Sequence, residues 1–151
     1  MRLGIISDTH GLLRPEAVVA LRGSNTIIHA GDIGRPEVLE QLYRLAPVHA
    51  VRGNIDTAAW AQVLPDVTEV TAGPLTILVL HDISQLEIYS HDSKWDVIVF
   101  GHSHVAVAER RGNVLYLNPG SAGPRRFRLP VTLAILDISG DAMEPRIITL
   151  T

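Results

Sequence analysis

Leu3-Gly4-Ile5-Ile6-Ser7-Asp8-Thr9-His10 opens the chain with a short apolar run that ends in an Asp-x-His pair. The same grammar returns at Ile27-Ile28-His29-Ala30-Gly31-Asp32, at Val48 to Val51 before Gly53-Asn54, and at Leu75 to Leu80 before His81. It returns again at Val97-Ile98-Val99-Phe100 before Gly101-His102-Ser103-His104, and at Val114 to Leu117 before Asn118-Pro119-Gly120-Ser121. A short apolar run bounded by turn residues reads as a buried strand. Each polar cluster then falls at a strand's C-terminal end, where open α/β sheets collect their ligands and chemistry. Read in order, the clusters spell out a binuclear metal site.

The segments between these runs settle the fold class. Pro15 to Leu21 and Pro36 to Leu45 read as helices, each with proline suited to a first turn, and the second carries Val38, Leu39, Leu42 and Leu45 at helical spacing. Strand, helix, strand, helix, strand over some 50 residues argues for parallel βαβ units with right-handed crossovers. After Trp60 the pattern changes. Val67 to Thr71, Leu75 to Leu80, Val97 to Phe100, Val105 to Arg110, Val114 to Leu117, Val131 to Ile138 and Arg146 to Leu150 read as strands. Turns at Ala72-Gly73-Pro74 and Arg111-Gly112-Asn113 imply antiparallel hairpins. Only Ser84 to Lys94 leaves room for another helix. The expected fold is α/β (α+β), two packed mixed sheets with helices outside, in one domain over residues 1–151.

Composition narrows the function. The chain has 151 residues, 46% of them hydrophobic, enough for one core that buries roughly two-thirds of the unfolded surface. Thirteen Lys and Arg against 16 Asp and Glu give a net charge of −3 without a long run of one sign, so no general nucleic-acid or membrane surface is written into it. An anionic substrate therefore needs a local source of positive charge. Cysteine is absent, which removes disulfides and thiolate metal sites and leaves oxygen and nitrogen as ligands. With no apolar stretch long enough to span a bilayer, the expected location is cytoplasmic.

The residue types suit divalent cations. Asp8 and His10 can face one cation with Thr9 turned away, and the two oxygens of Asp32 let it bridge two ions. Asn54 offers a neutral amide oxygen to a hard cation. His102 and His104, two residues apart after a glycine, are hard to explain by packing, and His81 ends the most apolar strand. His29, His49 and His91 lack such a setting and read as structural or surface residues, with His29 close enough to Asp32 to buttress it. Trp60 and Trp95 read as packing residues.

Together these motifs resemble the calcineurin-like metallophosphoesterase superfamily, and within it the small bacterial and archaeal phosphodiesterases related to the retromer scaffold subunit. The resemblance runs from Asp8 to Ser121. It implies a four-layer α/β/β/α sandwich, the metallo-dependent phosphatase fold. One metal would be held by Asp8, His10, Asp32 and His104, the other by Asp32, Asn54, His81 and His102. The ions would be divalent, commonly manganese, with iron, zinc, nickel or cobalt in other members. The implied activity is hydrolysis of a small phosphate ester or nucleotide-like substrate by a metal-bridging hydroxide, at a catalytic centre of Asp32, Asn54 and His81. A phosphodiesterase is the leading reading; a phosphomonoesterase or nucleotidase, or a non-catalytic retromer-type scaffold, are the alternatives. The resemblance is also compatible with a homodimer. Asp56 would orient the ligating imidazoles, and Asn118 and Ser121 would shape the floor. Beside the resemblance, Arg125, Arg126 and Arg128 form the densest positive cluster, which reads first as a solvated surface loop and second as a phosphate clamp led by Arg125.

Two positions depart from the family pattern. Ile55 stands where many members carry a histidine that protonates the leaving group. Asp82 stands where glycine is usual after the ligand histidine, and adds a negative charge beside a phosphate site.

Overall fold

A computed structural model describes residues 1–89 and 94–150. Its first third is the expected alternation: β1 (Arg2–Ile6), α1 (Pro15–Leu21), β2 (Thr26–His29), α2 (Pro36–Tyr43) and β3 (Val48–Ala50). Both helices begin at the proline with glutamate next in line, which suits the positive end of the helix dipole. Then come β4 (Val67–Ala72), β5 (Leu75–Leu80), α3 (Leu86–Tyr89), β6 (Val97–Val99), β7 (Val107–Arg111), β8 (Val114–Asn118), β9 (Thr132–Ser139) and β10 (Ala142–Thr149).

The strands form two five-stranded mixed sheets, ordered β10-β9-β1-β2-β3 and β4-β5-β6-β8-β7. In the first, β1, β2 and β3 run parallel; in the second, β5, β6 and β8 do. Alternation along β1 shows how the layers are divided. Leu3 and Ile5 face the second sheet and join Ile77, Val97, Val99 and Leu117, whereas Ile6 faces outward to Leu21 of α1 and Leu42 of α2. Leu78, Leu80, Ile98 and Phe100 cover the far side of the second sheet, under Ile83, Leu86 and Trp95. The result is the four-layer α/β/β/α sandwich, with a thin last layer.

Some boundaries move. The last strand begins at Ala142 rather than Arg146 and runs through Pro145, paired with β9 in unbroken register from Ala142 to Thr149; proline is tolerated because β10 is an edge strand. β7 starts at Val107 rather than Val105, since Val105 N–H still belongs to the preceding loop, donating to Ser103 Oγ (3.3 Å). The stretch from Ser84 to Lys94, which leaves room for a further helix, carries where described the end of a 3₁₀ turn at Ile83–Gln85 and the short α3. Its remainder, like His91, lies outside the described residues. Trp60 and Trp95 pack against the cores. Among the described residues, no helix is long and apolar enough to cross a membrane.

Candidate metal centre

The six parallel strands deliver their following loops to one place. Asp8 N–H donates to Gly31 O (3.0 Å), His10 N–H to Asp32 O (3.0 Å) and Gly101 N–H to His81 O (2.9 Å), lacing the loops after β1, β2, β5 and β6 together. Among the described residues, six that are not glycine have a left-handed φ: Asp8, His10, Asp32, His102, His104 and Phe127. Such conformations persist only where the surroundings enforce them, and they gather at functional sites. Five of the six are residues the sequence nominates as ligands.

Their polar atoms converge without satisfying one another. Asp8 Oδ2 accepts from Ser7 Oγ (2.6 Å) and His102 N–H (3.2 Å), whereas Oδ1 is buried without a hydrogen-bond partner. His104 Nε2 lies 3.3 Å from that oxygen and His10 Nε2 3.9 Å. Asp32 Oδ1 accepts Ile55 N–H (3.1 Å); its Oδ2 stands 3.6 Å from His10 Nε2 and 3.4 Å from His81 Nε2, between the two halves of the site. One end of the Asn54 amide lies 3.1 Å from His81 Nε2, 3.2 and 3.3 Å from the Asp32 oxygens and 3.3 Å from His102 Nδ1, so it donates to them when its nitrogen faces inward and offers its oxygen to a cation when turned over. With a neutral imidazole, His81 Nδ1–H donates to Ala30 O (2.7 Å) and turns the Nε2 lone pair inward. A buried carboxylate oxygen without a hydrogen-bond partner, facing imidazole nitrogens, calls for positive charge. The oxygen and imidazole donors therefore fit divalent cations.

Protons answer part of this demand when no cation does. Burial works against charge on His81, yet the hydrogen bond and charge of Asp32 hold its pKa above the ordinary histidine value. Burial likewise works against Asp32, but His81 and the Ile55 amide hold its carboxyl below the usual range. Burial pushes Asp8 up despite the Ser7 bond. A cation would displace the His81 proton, so its affinity must fall with pH.

The supporting residues are partly those expected. Asp56 is buried and accepts three backbone N–H groups, from Ile33 (3.0 Å), Gly34 (3.0 Å) and Gly53 (2.9 Å), tying the Asp32 and Asn54 loops together rather than orienting an imidazole. Asn118 Nδ2 donates to Gly101 O and Ser103 Oγ (both 3.1 Å), and Ser121 Oγ donates to Asp8 O (3.1 Å). Asp82 does not face away: its carboxylate accepts Ser84 N–H (3.0 Å) and lies 4.0 Å from His102 Nε2. It borders a cleft of about 260 Å³ with Arg52, Asn54, His81 and His102. Arg125 is exposed and is not brought into contact with the ligand cluster, and His49 is exposed on β3.

Sequence reasoning missed the reach of His29. It is fully buried; Gly31 N–H donates to its Nδ1 (3.1 Å), so its Nε2–H donates to Thr9 Oγ1 (2.9 Å), whose hydroxyl donates to Ile33 O (2.9 Å). One neutral imidazole thus fixes both the Asp8–His10 and the Gly31–Asp32 loops. Burial drives its pKa down to about 3.

Comparison with known proteins places the fold and the family. Phosphodiesterase YfcE of Escherichia coli is 32% identical over 167 residues, spanning 91% of this chain and 88% of its own. A solved structure described as a novel archaeal phosphodiesterase superposes with a TM-score of 0.80 at 28% identity, over 98% of this chain and all of the other. Vps29 of Chaetomium thermophilum superposes with a TM-score of 0.78 at 18% identity over the full length of both, a likeness of fold alone. Residues 1–141 match the calcineurin-like phosphoesterase superfamily domain, and the chain belongs to that superfamily.

Proposed function

We propose that the protein is a metal-dependent phosphodiesterase with a binuclear site. Asp8, His10, Asp32 and His104 would hold one cation, and Asp32, Asn54, His81 and His102 the other. The observation that carries this reading is the buried, unpartnered Asp8 Oδ1 facing His10 and His104, with Asp32 Oδ2 set between His10 and His81. Divalent cations there supply positive charge to phosphoryl oxygens and lower the pKa of water, so no side chain has to act as nucleophile. A donor set without sulfur suits manganese, and also accommodates iron, zinc, nickel or cobalt.

The chain's own residues shape the chemistry around that charge. Ser7, Ala30 and Asp56 fix the directions of Asp8, His81 and the Asp32 loop. Ile55 supplies no proton to a departing alkoxide, which favours esters with acidic leaving groups. Asp82 is held below the ordinary carboxylate range: burial opposes this, and the Ser84 amide and hydroxyl outweigh it. Its negative charge beside the cleft disfavours a monoester, which carries nearly two charges at neutral pH, more than a diester, which carries one. The scaffold reading draws on the Vps29 fold at 18% identity, whereas relatives at 30% and 32% identity are phosphodiesterases. We also take the chain as one domain, because β1 pairs with β9 and one core fills the space between the sheets.

The test is hydrolysis of a chromogenic phosphodiester beside its monoester by chelator-stripped protein, with manganese, nickel, zinc and magnesium restored separately. Metal-dependent cleavage favouring the diester is expected. A preference for the monoester would move the reading to a phosphatase, and absence of turnover with metal bound would return it to a scaffold.

A further inference from the structure

Phe127 is the one residue with left-handed backbone that is neither a glycine nor a candidate ligand among the described residues (φ 56°), and 89% of it is exposed. Neither the backbone nor the hydrophobic effect favours a phenyl group held in that way. Its turn is built onto the metal centre. Ser121 Oγ donates to Asp8 O (3.1 Å), Arg14 Nε–H donates to Gly123 O (3.2 Å), and a Cβ on Gly123 would overlap the backbone of Asp8 and Thr9. Six residues on, Leu129 N–H donates to Arg126 O (3.2 Å), closing a turn that contains Phe127. Arg126 follows three residues after Gly123, whose close seat against Asp8 and Thr9 keeps the start of the turn beside the site. Among the described residues, Arg125, Arg126 and Arg128 have no carboxylate within 4.0 Å.

Other exposed apolar side chains border the ligands. Leu12, Ile55 and Val105 are exposed, and each lies within two residues of a candidate ligand: His10, Asn54 and His104. Guanidinium alone accepts any phosphate, and a phenyl ring alone any apolar group. Side by side on one turn, they select an anion that carries a flat ring.

We propose that the turn from Arg125 to Leu129 is the recognition arm of the site, with Phe127 stacking on the ring of an aryl or nucleoside phosphate ester while Arg126 pairs with its phosphate. This rests on the phosphodiesterase reading. Such stacking is worth about tenfold or more in affinity and tolerates different rings.

The test is equilibrium binding of naphthylmethylphosphonate and methylphosphonate to the manganese-loaded chain; their carbon–phosphorus bonds keep both inert to hydrolysis. The wild type is expected to prefer the naphthyl ligand by about tenfold. Phe127→Gly, which suits the left-handed backbone and so keeps the turn, should abolish the preference, Phe127→Tyr should retain it, and Arg126→Ala should weaken both ligands. Equal binding of the two ligands by wild type, a preference that survives Phe127→Gly, or undiminished binding by Arg126→Ala overturns the proposal. A ring preference without diester turnover would uphold the arm and sink the phosphodiesterase reading; turnover without preference would do the reverse.

Discussion

A single added methyl group at Gly53 tests whether Asp32 must stand where it does. An ideal Cβ there would lie 2.7 Å from Asp32 Cγ, and nearer still to its Oδ1 and backbone N. Ordinary van der Waals contact begins at 3.4 Å and the Asp32 backbone N would stand at 2.2 Å, so the Asp32 loop must retreat by about 1.2 Å in an interior with no slack. It cannot slide freely, because Oδ1 is bonded to Ile55 N–H and the Asp32 carbonyl accepts His10 N–H. Gly53 has no left-handed φ, so Gly53→Ala meets the clash without added backbone strain. Overpacking of this kind costs about 1–3 kcal/mol, and a misplacement of about 1 Å costs up to about 100-fold in rate. The expected outcome is a folded protein, melting several degrees lower, with diester turnover down roughly 30- to 100-fold. The assay is manganese-activated hydrolysis with a thermal melt and metal content on the same sample. Gly112→Ala is the control, since nothing lies within 4 Å of its Cβ although its φ is 60°; it should lose stability and keep activity. A folded Gly53→Ala protein with activity within about twofold of wild type would refute the claim that Asp32 is held to sub-ångström tolerance.

Three other substitutions probe the frame around the candidate metal centre. Asp56→Ala removes the acceptor of three backbone amides and should cost about 3 kcal/mol or more in denaturant unfolding; a cost below about 1 kcal/mol would contradict its tying role. His29 is neutral in the fold, with a pKa of about 3 against 6.5 when unfolded. The unfolded chain therefore takes up the proton first, and the stability that neutral His29 confers is complete above pH 6.5 and lost as pH falls toward 3, by up to about 1.4 kcal/mol per unit. Urea unfolding of stripped protein across that window should show a steeper acid loss for wild type than for His29→Gln, and equal slopes would remove the assignment. Asp82→Gly should raise monoester turnover more than diester turnover, and an unchanged ratio would mean that its charge is not felt by substrate.

The sequence carries the βαβαβ half clearly because buried parallel strands leave unbroken apolar runs and Pro15 and Pro36 mark the helix starts. It carries the ligand clusters because each follows such a run. Pro145 obscures β10, since a proline argues against a strand unless the strand is known to be at an edge, and edge position is a tertiary fact. The same limit hides His29: as one imidazole in an apolar run it reads as packing, and its role appears only when Thr9 and Gly31 meet it across adjacent strands. Asp56 lies close in sequence to Asn54, but which donors its carboxylate takes depends on the Asp32 loop folding over it. Phe127 looks like one apolar residue in an arginine-rich loop until its backbone angle and exposure are known.

The central claim is that Asp32 joins two cations in one catalytic site, and metal content per chain tests it most directly. Wild type and Asp32→Asn would be loaded with manganese, desalted and measured by elemental mass spectrometry, with diester turnover recorded on the same samples. The prediction is two ions per wild-type chain, and for folded Asp32→Asn weakened occupancy of both positions with turnover abolished. A folded Asp32→Asn protein that keeps both ions and near-normal turnover would contradict it.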